Sequence, residues 1–355
     1  MPALSPAMMA VLEAGIAAPT GDNCQPWKIA LRADGFDVSF VPELGRSFFD
    51  EGDLASRVAL GAFLENVQLE ASVRGLKASW QLSPEVDRPT LWARVALRAE
   101  VSAAPDPLAA HVHLRHANRE AYSTVPLTDA QKSGLEANSD DAARISLARG
   151  DEPLAELRGW VAWAERVRAG CREAHLSTYP WFRWTPEQAE RTRDGLDART
   201  LGANAGQRLA LRTLAPWPLM RVAAALGATR AMGAYAGDLV RKSGGMGVLA
   251  ARSLEVADVV RAGQAFERCW LWATGQGLAL SVLAALPLFV LRVQTAGGRG
   301  LPPSTHARLR EAGERIKACF GLPATSRPLL MFRVGYGPAQ AIVSLRRRVE
   351  SFLEA

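Results

Sequence analysis

Cysteine is scarce in this chain, and its placement excludes more than its number does. Cys24, Cys171, Cys269 and Cys319 lie far apart and form no Cys-x-x-Cys pair. A disulfide framework or a zinc site is therefore not expected, and a reducing cytoplasm is the default setting. Lysine is also rare, whereas arginine is common and spread along the chain. The formal charge is +6 and the isoelectric point about 9.4, which suits an anionic ligand but marks no continuous basic stripe. No RNA-reading or zinc-finger motif is present, so nucleic acid is not an expected partner. The start, MPALSPAMMAVLEAG, lacks a basic region leading into a long apolar run and does not read as a secretory signal.

Long uncharged runs are few as well. One reaches membrane length, from Cys269 to Leu291, but Gly275, Gly277 and Pro287 interrupt it. It reads as a buried helix ending near Gly275–Gly277, then a loop and a second apolar stretch, with no membrane span. The dense basic run Arg346-Arg347-Arg348 is either a ligand site or an ordinary solvated cluster.

What is present implies a globular α+β chain. Helical spacing covers 5–17. An alternating hairpin with an Asp-Gly turn follows in WKIALRADGFDVSFVPEL. A long amphipathic helix runs from Asp53 to Leu76, and strands are expected at KASWQLSP and PTLWARVALRAE. Ser102–Pro107 reads as a linker. Further helices are expected at 128–137, 151–173, 186–214, 216–240, 255–275 and 304–320, and a strand opens at Pro328.

Two segments repeat in the same order. GAFLENVQLEASVRGL (61–76) matches GQAFERCWLWATGQGL (263–278) at Gly61/Gly263, Glu65/Glu267, Leu69/Leu271, Ala71/Ala273, Gly75/Gly277 and Leu76/Leu278. After each comes a Pro-x-Leu-x-x-Arg-Val strand, PTLWARV at 89–95 and PLLMFRV at 328–334. The chain thus reads as two copies of one unit, 1–107 and 108–355.

Before the hairpin stands APTGDNCQPWKI, too polar for a buried strand and too rich in turn formers for a helix. Its Pro19, Thr20, Asn23, Gln25, Pro26 and Trp27 resemble the Pro-Ser-x-x-Asn-x-Gln-Pro-Trp segment of the FMN-dependent nitroreductase family, with threonine for serine. LRHANREAY from Leu114 is similar to that family's arginine-rich opening, with His116 and Ala117 as departures. GQAFERCWLWATGQGL is similar to its central dimer helix, and FGLPATSRPLLMFRVGYGP (320–338) to its last strand.

The resemblance implies a nitroreductase-like fold in which two degenerate copies are fused into an intrachain pseudo-dimer. The first half carries the polar loop and the second the arginine opening, so one complete FMN site is expected at their interface. The cofactor-binding set implied is Pro19, Thr20, Gly21, Asn23, Gln25, Arg115, His116, Arg119, Arg346 and Arg348. NAD(P)H is the implied electron donor, a small organic molecule the acceptor, and a functional monomer the expected state, with further dimerisation open. Arginine suits the phosphate because its planar fork donates in pairs. No catalytic side chain is singled out, because flavin carries its own chemistry.

Three weaker signals compete. Cys24 could be a nucleophile, without a histidine near it in sequence. His111-x-His113 could share a strand face, without a nearby acid or cysteine to complete a metal site. Gly245–Ala250 matches the Gly-x-Gly-x-x-Ala dinucleotide pattern, without a strand before it. Substrate selectivity is expected from loops within 175–250.

Overall fold

The computed structural model describes residues 4–83, 85–100 and 104–354. The first three residues of the start, Pro84 at the end of the expected KASWQLSP strand, and Ser102 and Ala103 of the expected linker lie outside the described residues.

Helix α1 (Pro6–Ile16) begins where Ser5 caps the Met8 amide and Pro6 presets the first turn. The hairpin follows as β1 (Trp27–Arg32) and β2 (Gly35–Phe40). A short α2 (Pro42–Gly45) leads to α3 (Leu54–Val73), and β3 (Leu76–Leu82) and β4 (Leu91–Ala99) complete the first sheet. The second part opens with α4 (Asp129–Glu136), closed by a reciprocal Thr128–Gln131 capping box, and β5 (Ala143–Leu147). Next come α5 (Asp151–Gly170), α6 (Arg172–Thr178), the two-residue β6 (Phe182–Arg183), α7 (Pro186–Thr192) and the two-residue β7 (Leu196–Asp197). Then α8 (Ala205–Thr213), α9 (Trp217–Ala225) and α10 (Ala228–Arg241) precede β8 (Gly245–Ala251). The chain closes with α11 (Val256–Gly275), β9 (Ala279–Leu283), α12 (Ala285–Ala296), α13 (His306–Cys319) and β10 (Arg327–Gly335).

The repeat is visible in topology. The first antiparallel sheet has the order β1-β2-β4-β3 and the second β5-β8-β10-β9, which is the same order with each strand replaced by its counterpart. In each half the long helix sits between the second and third strands, as α3 and as α11. Gly75 and Gly277 follow these helices with φ of 67° and 68°, a left-handed stop that only glycine adopts without strain.

α3 and α11 cross against one another, and glycine sets how closely. A Cβ on Gly61 would strike the Val260 carbonyl, and one on Gly263 would strike the Val58 carbonyl. The two contacts exchange equivalent positions, as expected for a pseudo-twofold axis through the crossing.

Burial explains why the second sheet reads as continuous apolar sequence. Along β8, Leu249 and Ala251 face α11 and its Phe266 and Trp270, whereas Met246, Val248 and Ala250 face α12 and α13 through Phe289 and Ile316. β10 is buried on both faces beyond Arg327. The first sheet packs one face on α1 and α3 through Ile29, Phe36, Val38, Ala93 and Val95. The C-terminal segment crosses back to it. Ile29 pairs with Leu353, its amide donates to Phe352, and Phe352 is buried in this core.

Several helical expectations divide. The span 186–214 breaks into α7 and α8 around β7, with Gly195 and Gly202 at positive φ between them. The span 216–240 breaks at Gly227. Gly245–Ala250 is itself strand β8 between β5 and β10, and no helix follows its glycines. The dinucleotide reading is therefore replaced: these amides serve the sheet ladder instead of a phosphate. Cys269–Leu291 resolves into the end of α11, β9 and the start of α12. Among the described residues no helix is long and apolar enough to cross a membrane.

Candidate functional site

A cavity of about 1150 Å³ lies beside the crossing of the central helices. One wall is the loop before β1. Ala17, Pro19, Thr20, Gly21, Asp22, Asn23 and Cys24 all face the cavity. The loop is held in an unusual backbone: Asp22, Asn23 and Gln25 have φ of 48°, 57° and 50°. Asparagine and aspartate adopt this region readily, but a glutamine there is strained, and such strain clusters at functional sites. The surrounding bonds hold it. Thr20 Oγ1 accepts from the Gln25 amide (3.1 Å), Gln25 Nε2 donates to the Arg193 carbonyl (2.9 Å), and Gln25 Oε1 accepts from the Arg347 amide (2.8 Å). Trp27, fully buried, anchors the loop against Phe63 at 5.6 Å between ring centres.

Asn23 presents a free acceptor. Its amide nitrogen donates to the Gly195 and Leu345 carbonyls (3.0 and 2.9 Å). Two carbonyl partners require the NH₂ group, which fixes the orientation of the amide. Its Oδ1 is then buried without a partner, at the cavity wall.

Part of the lining is cationic. Arg115, His116 and Arg119 come from the start of the second half, Arg346 from the C-terminal segment, and Arg333 from β10. Their charges are balanced very differently. Arg115 is committed: Nε pairs with Glu267 (2.9 Å), Nη2 donates to the Ala17 carbonyl (2.6 Å), and the guanidinium stacks on Trp270 at 4.7 Å. Glu267 is fully buried, and desolvation raises its pKa despite this partner. Arg346 has only carbonyls at 3.4 Å, and its Nε has no partner. Burial, reinforced by repulsion from Arg115, pushes its pKa down to about 9. Arg119 donates only weakly, to the Thr200 carbonyl at 3.4 Å, and burial lowers its pKa also.

Arg333 differs from its counterpart in the first sheet. Its counterpart Arg94 is neutralised by Asp37, directly opposite on β2, with bonds of 2.8 and 2.9 Å. At the matching register Arg333 faces Met246 on β8. It is 1% exposed, has an unpartnered Nη1, and rests 4.0 Å over the Tyr122 ring. Among the described residues no carboxylate pairs with it. Comparing the two Arg-Val strands and asking what replaces Asp37 would have exposed this position in the sequence.

Two further charged residues line the cavity outside the matched motif positions. Asp22 sits between Arg119 and Arg168, and burial pushes its pKa up to about 6 against their attraction. Arg168 itself is paired with Glu165 at 2.5 Å. The rest of the cavity is apolar. Trp181 and Phe182 approach from one side, and Leu211, Leu214, Met232 and Leu239 from α8, α10 and their connection. The region 175–250 thus supplies much of the wall.

Two of the sequence-selected residues do not reach the cavity. Gln25 is a buried strut between the loop and the C-terminal segment, and Arg348 is exposed with its side chain unbonded. Cys24 is buried, and desolvation pushes its thiol up to about 12, which leaves almost no thiolate for nucleophilic attack near neutrality. His111 ends a 3₁₀ turn and packs against Gly275, so the shared strand face expected for His111 and His113 does not form. Among the described residues no group of three metal-ligating side chains exists.

No protein-family model matches the chain. It is 22% identical over 342 residues to an uncharacterized protein of Mycobacterium tuberculosis, covering 95% of this chain and 47% of that protein. The chain therefore spans about half the length of the curated relative it matches. Its solved neighbours are nitroreductase-like. A nitroreductase from Bacteroides fragilis with bound FMN aligns over 68% of this chain and 94% of its own, with 10% identity and a TM-score of 0.36. A nitroreductase-like protein from Bacillus cereus aligns over 71% and 97%, with 12% identity and a TM-score of 0.36.

Proposed function

We propose that this chain is an FMN-binding oxidoreductase with one flavin site, in which NAD(P)H delivers a hydride that passes to a small organic acceptor. The observation that carries the reading is Arg346, a cation lining a large cavity with an unpartnered Nε and, among the described residues, no carboxylate paired to it; the nearby Glu267 is taken up by Arg115. An anion would compensate that charge, and an arginine fork matches phosphate geometry.

The residues present fit FMN. Arg346 and Arg119 supply positive charge for a phosphate, with no ion pair within bonding distance of either among the described residues. Asn23 Oδ1 offers an acceptor for a ring or polyol donor, and Thr20, whose hydroxyl accepts from the Gln25 amide, lines the same space. Arg115 is a support, held by Glu267 and holding the end of α1 in place. The apolar remainder leaves room for a second flat molecule. Bound FMN would supply hydride acceptance and donation, and the chain would bind it, orient it and exclude water. The division into halves at 107/108, with the site at their junction, belongs to the same proposal. Residues 17–23 come from one side, and 115–119 and 343–346 from the other.

The test is purification with FMN followed by steady-state NADH and NADPH oxidation with a quinone or nitroarene acceptor. Parallel double-reciprocal plots are expected from a shared site used in turn. FMN binding without turnover on either donor would leave a flavin-holding protein. No FMN binding would overturn the reading.

A further inference from the structure

The helices beside the cavity, α8 and α9, carry an unusual outer surface. Between Asp197 and Asp238 the chain has Arg199, Arg208, Arg212, Arg221 and Arg230 and no carboxylate. Arg199 is paired with Asp197. The other four have no ion-pair partner among the described residues. The same stretch exposes aliphatic side chains. On α9 and its C-cap, Leu219, Val222 and Leu226 recur at helical spacing and are 48%, 57% and 84% exposed. On α8, Leu209 is 66% exposed beside Arg208 and Arg212. These are not the outer sides of core helices, because α8 has no buried residue and α9 buries only Met220.

We infer that the α8–α9 surface docks on an anionic lipid membrane. Short helices with arginines and an aliphatic stripe lie in a bilayer interface, with the charges at the headgroups and the leucines below them. The arginines with no acid among them give the charge complementarity. A second copy of this chain is disfavoured because it would bring an equally basic face to meet this one. Nucleic acid is disfavoured because the exposed groups are aliphatic, whereas single strands are held by aromatic stacking. This attachment differs from a span and needs no long apolar helix.

The inner side of α8 and that of the neighbouring α10, against which α9 packs, reach the cavity. Leu211 of α8 and Ala228, Ala231, Met232 and Tyr235 of α10 line it. Docking would therefore place the apolar side of the cavity next to the bilayer. An acceptor dissolved in lipid could enter there without crossing water.

The test is flotation of the full chain with vesicles of pure phosphatidylcholine and of phosphatidylcholine with a quarter phosphatidylglycerol. Binding to the anionic vesicles that weakens as salt is raised is expected. Arg212→Glu, Arg221→Glu and Arg230→Glu together should lower partitioning by about a hundredfold or more. Leu219→Gln with Leu226→Gln should abolish it at physiological salt. All five positions are exposed, so unchanged melting curves would confirm that the variants fold. Equal binding to both vesicle types would overturn the inference, as would no binding to either. Self-association in sedimentation that the leucine variants abolish, without vesicle binding, would assign the face to a second copy. FMN content is measured alongside, so failure of docking and failure of the flavin reading remain separable.

Discussion

Replacing Arg346 by glutamine and Arg115 by alanine should have opposite consequences. The two guanidiniums line the same cavity, but only one is paid for within the protein. Arg346 carries an unpartnered Nε, and burial with repulsion from Arg115 depresses its pKa to about 9. In the ligand-free protein its charge is a cost, so Arg346→Gln should leave the melting temperature unchanged or raised. Its gain comes with the ligand. A hydrogen bond to a charged group contributes about 1.5–3 kcal/mol, so the variant should weaken FMN binding roughly 10- to 150-fold.

Arg115→Ala removes the partner of a fully buried carboxylate, Glu267. Breaking such a pair from one side costs about 3–5 kcal/mol. With unfolding entropy of about 2.1 cal/mol/K per residue over 355 residues, that is a fall of roughly 4–7 °C. Differential scanning calorimetry of ligand-free protein and quenching of FMN fluorescence separate the two effects. If Arg346→Gln destabilised the free protein as Arg115→Ala does and left FMN affinity intact, the charge argument would be wrong.

Other consequences are sharper in position than in size. Arg348→Ala should change FMN affinity by less than twofold, because this arginine is exposed away from the cavity. Asp22 has a pKa raised to about 6, so its ionisation is unfavourable to folding above that pH and the cost is relieved as pH falls through it. Its negative charge also offsets Arg119 and Arg168. Asp22→Asn should therefore tighten anion binding at pH 8 and have little effect at pH 5, read as the difference between two calorimetric pH series. Gly61→Ala and Gly263→Ala should each cost several kcal/mol in urea unfolding, about equally, because each methyl meets the opposite helix's backbone. Cys24 should resist alkylation at pH 8 in the native protein and react once it is unfolded.

Much of the architecture was legible because the signals were local and periodic. The Asp-Gly hairpin, the Gly61/Gly263 helices and the Arg-Val strands all show in composition and spacing, and the structure places them in one repeated strand order. Boundaries failed where glycine interrupts otherwise helical composition, at Gly195, Gly202 and Gly227. β5 was invisible because ARISL carries little pattern of its own and gains its burial from β8. The polar loop and the two arginine clusters could be named from sequence. Which arginine is neutralised could not, because Glu267 lies on a distant helix and reaches Arg115 only through the fold. Gln25 looked like a ligand contact by its place in the motif, and the structure uses both ends of its amide to tie the loop to Arg193 and Arg347. The apolar lining from α8 and α10 was equally hidden, since most of its residues are ordinary alanines and leucines.

The central claim is one flavin site built from both halves of a single chain. Titration of the purified protein with FMN, followed by fluorescence quenching and sedimentation, tests it directly. Saturation at one FMN per chain on a monomer is expected, weakened by Arg346→Gln. Two FMN per chain, a site that forms only on dimerisation, or no binding at all would contradict it.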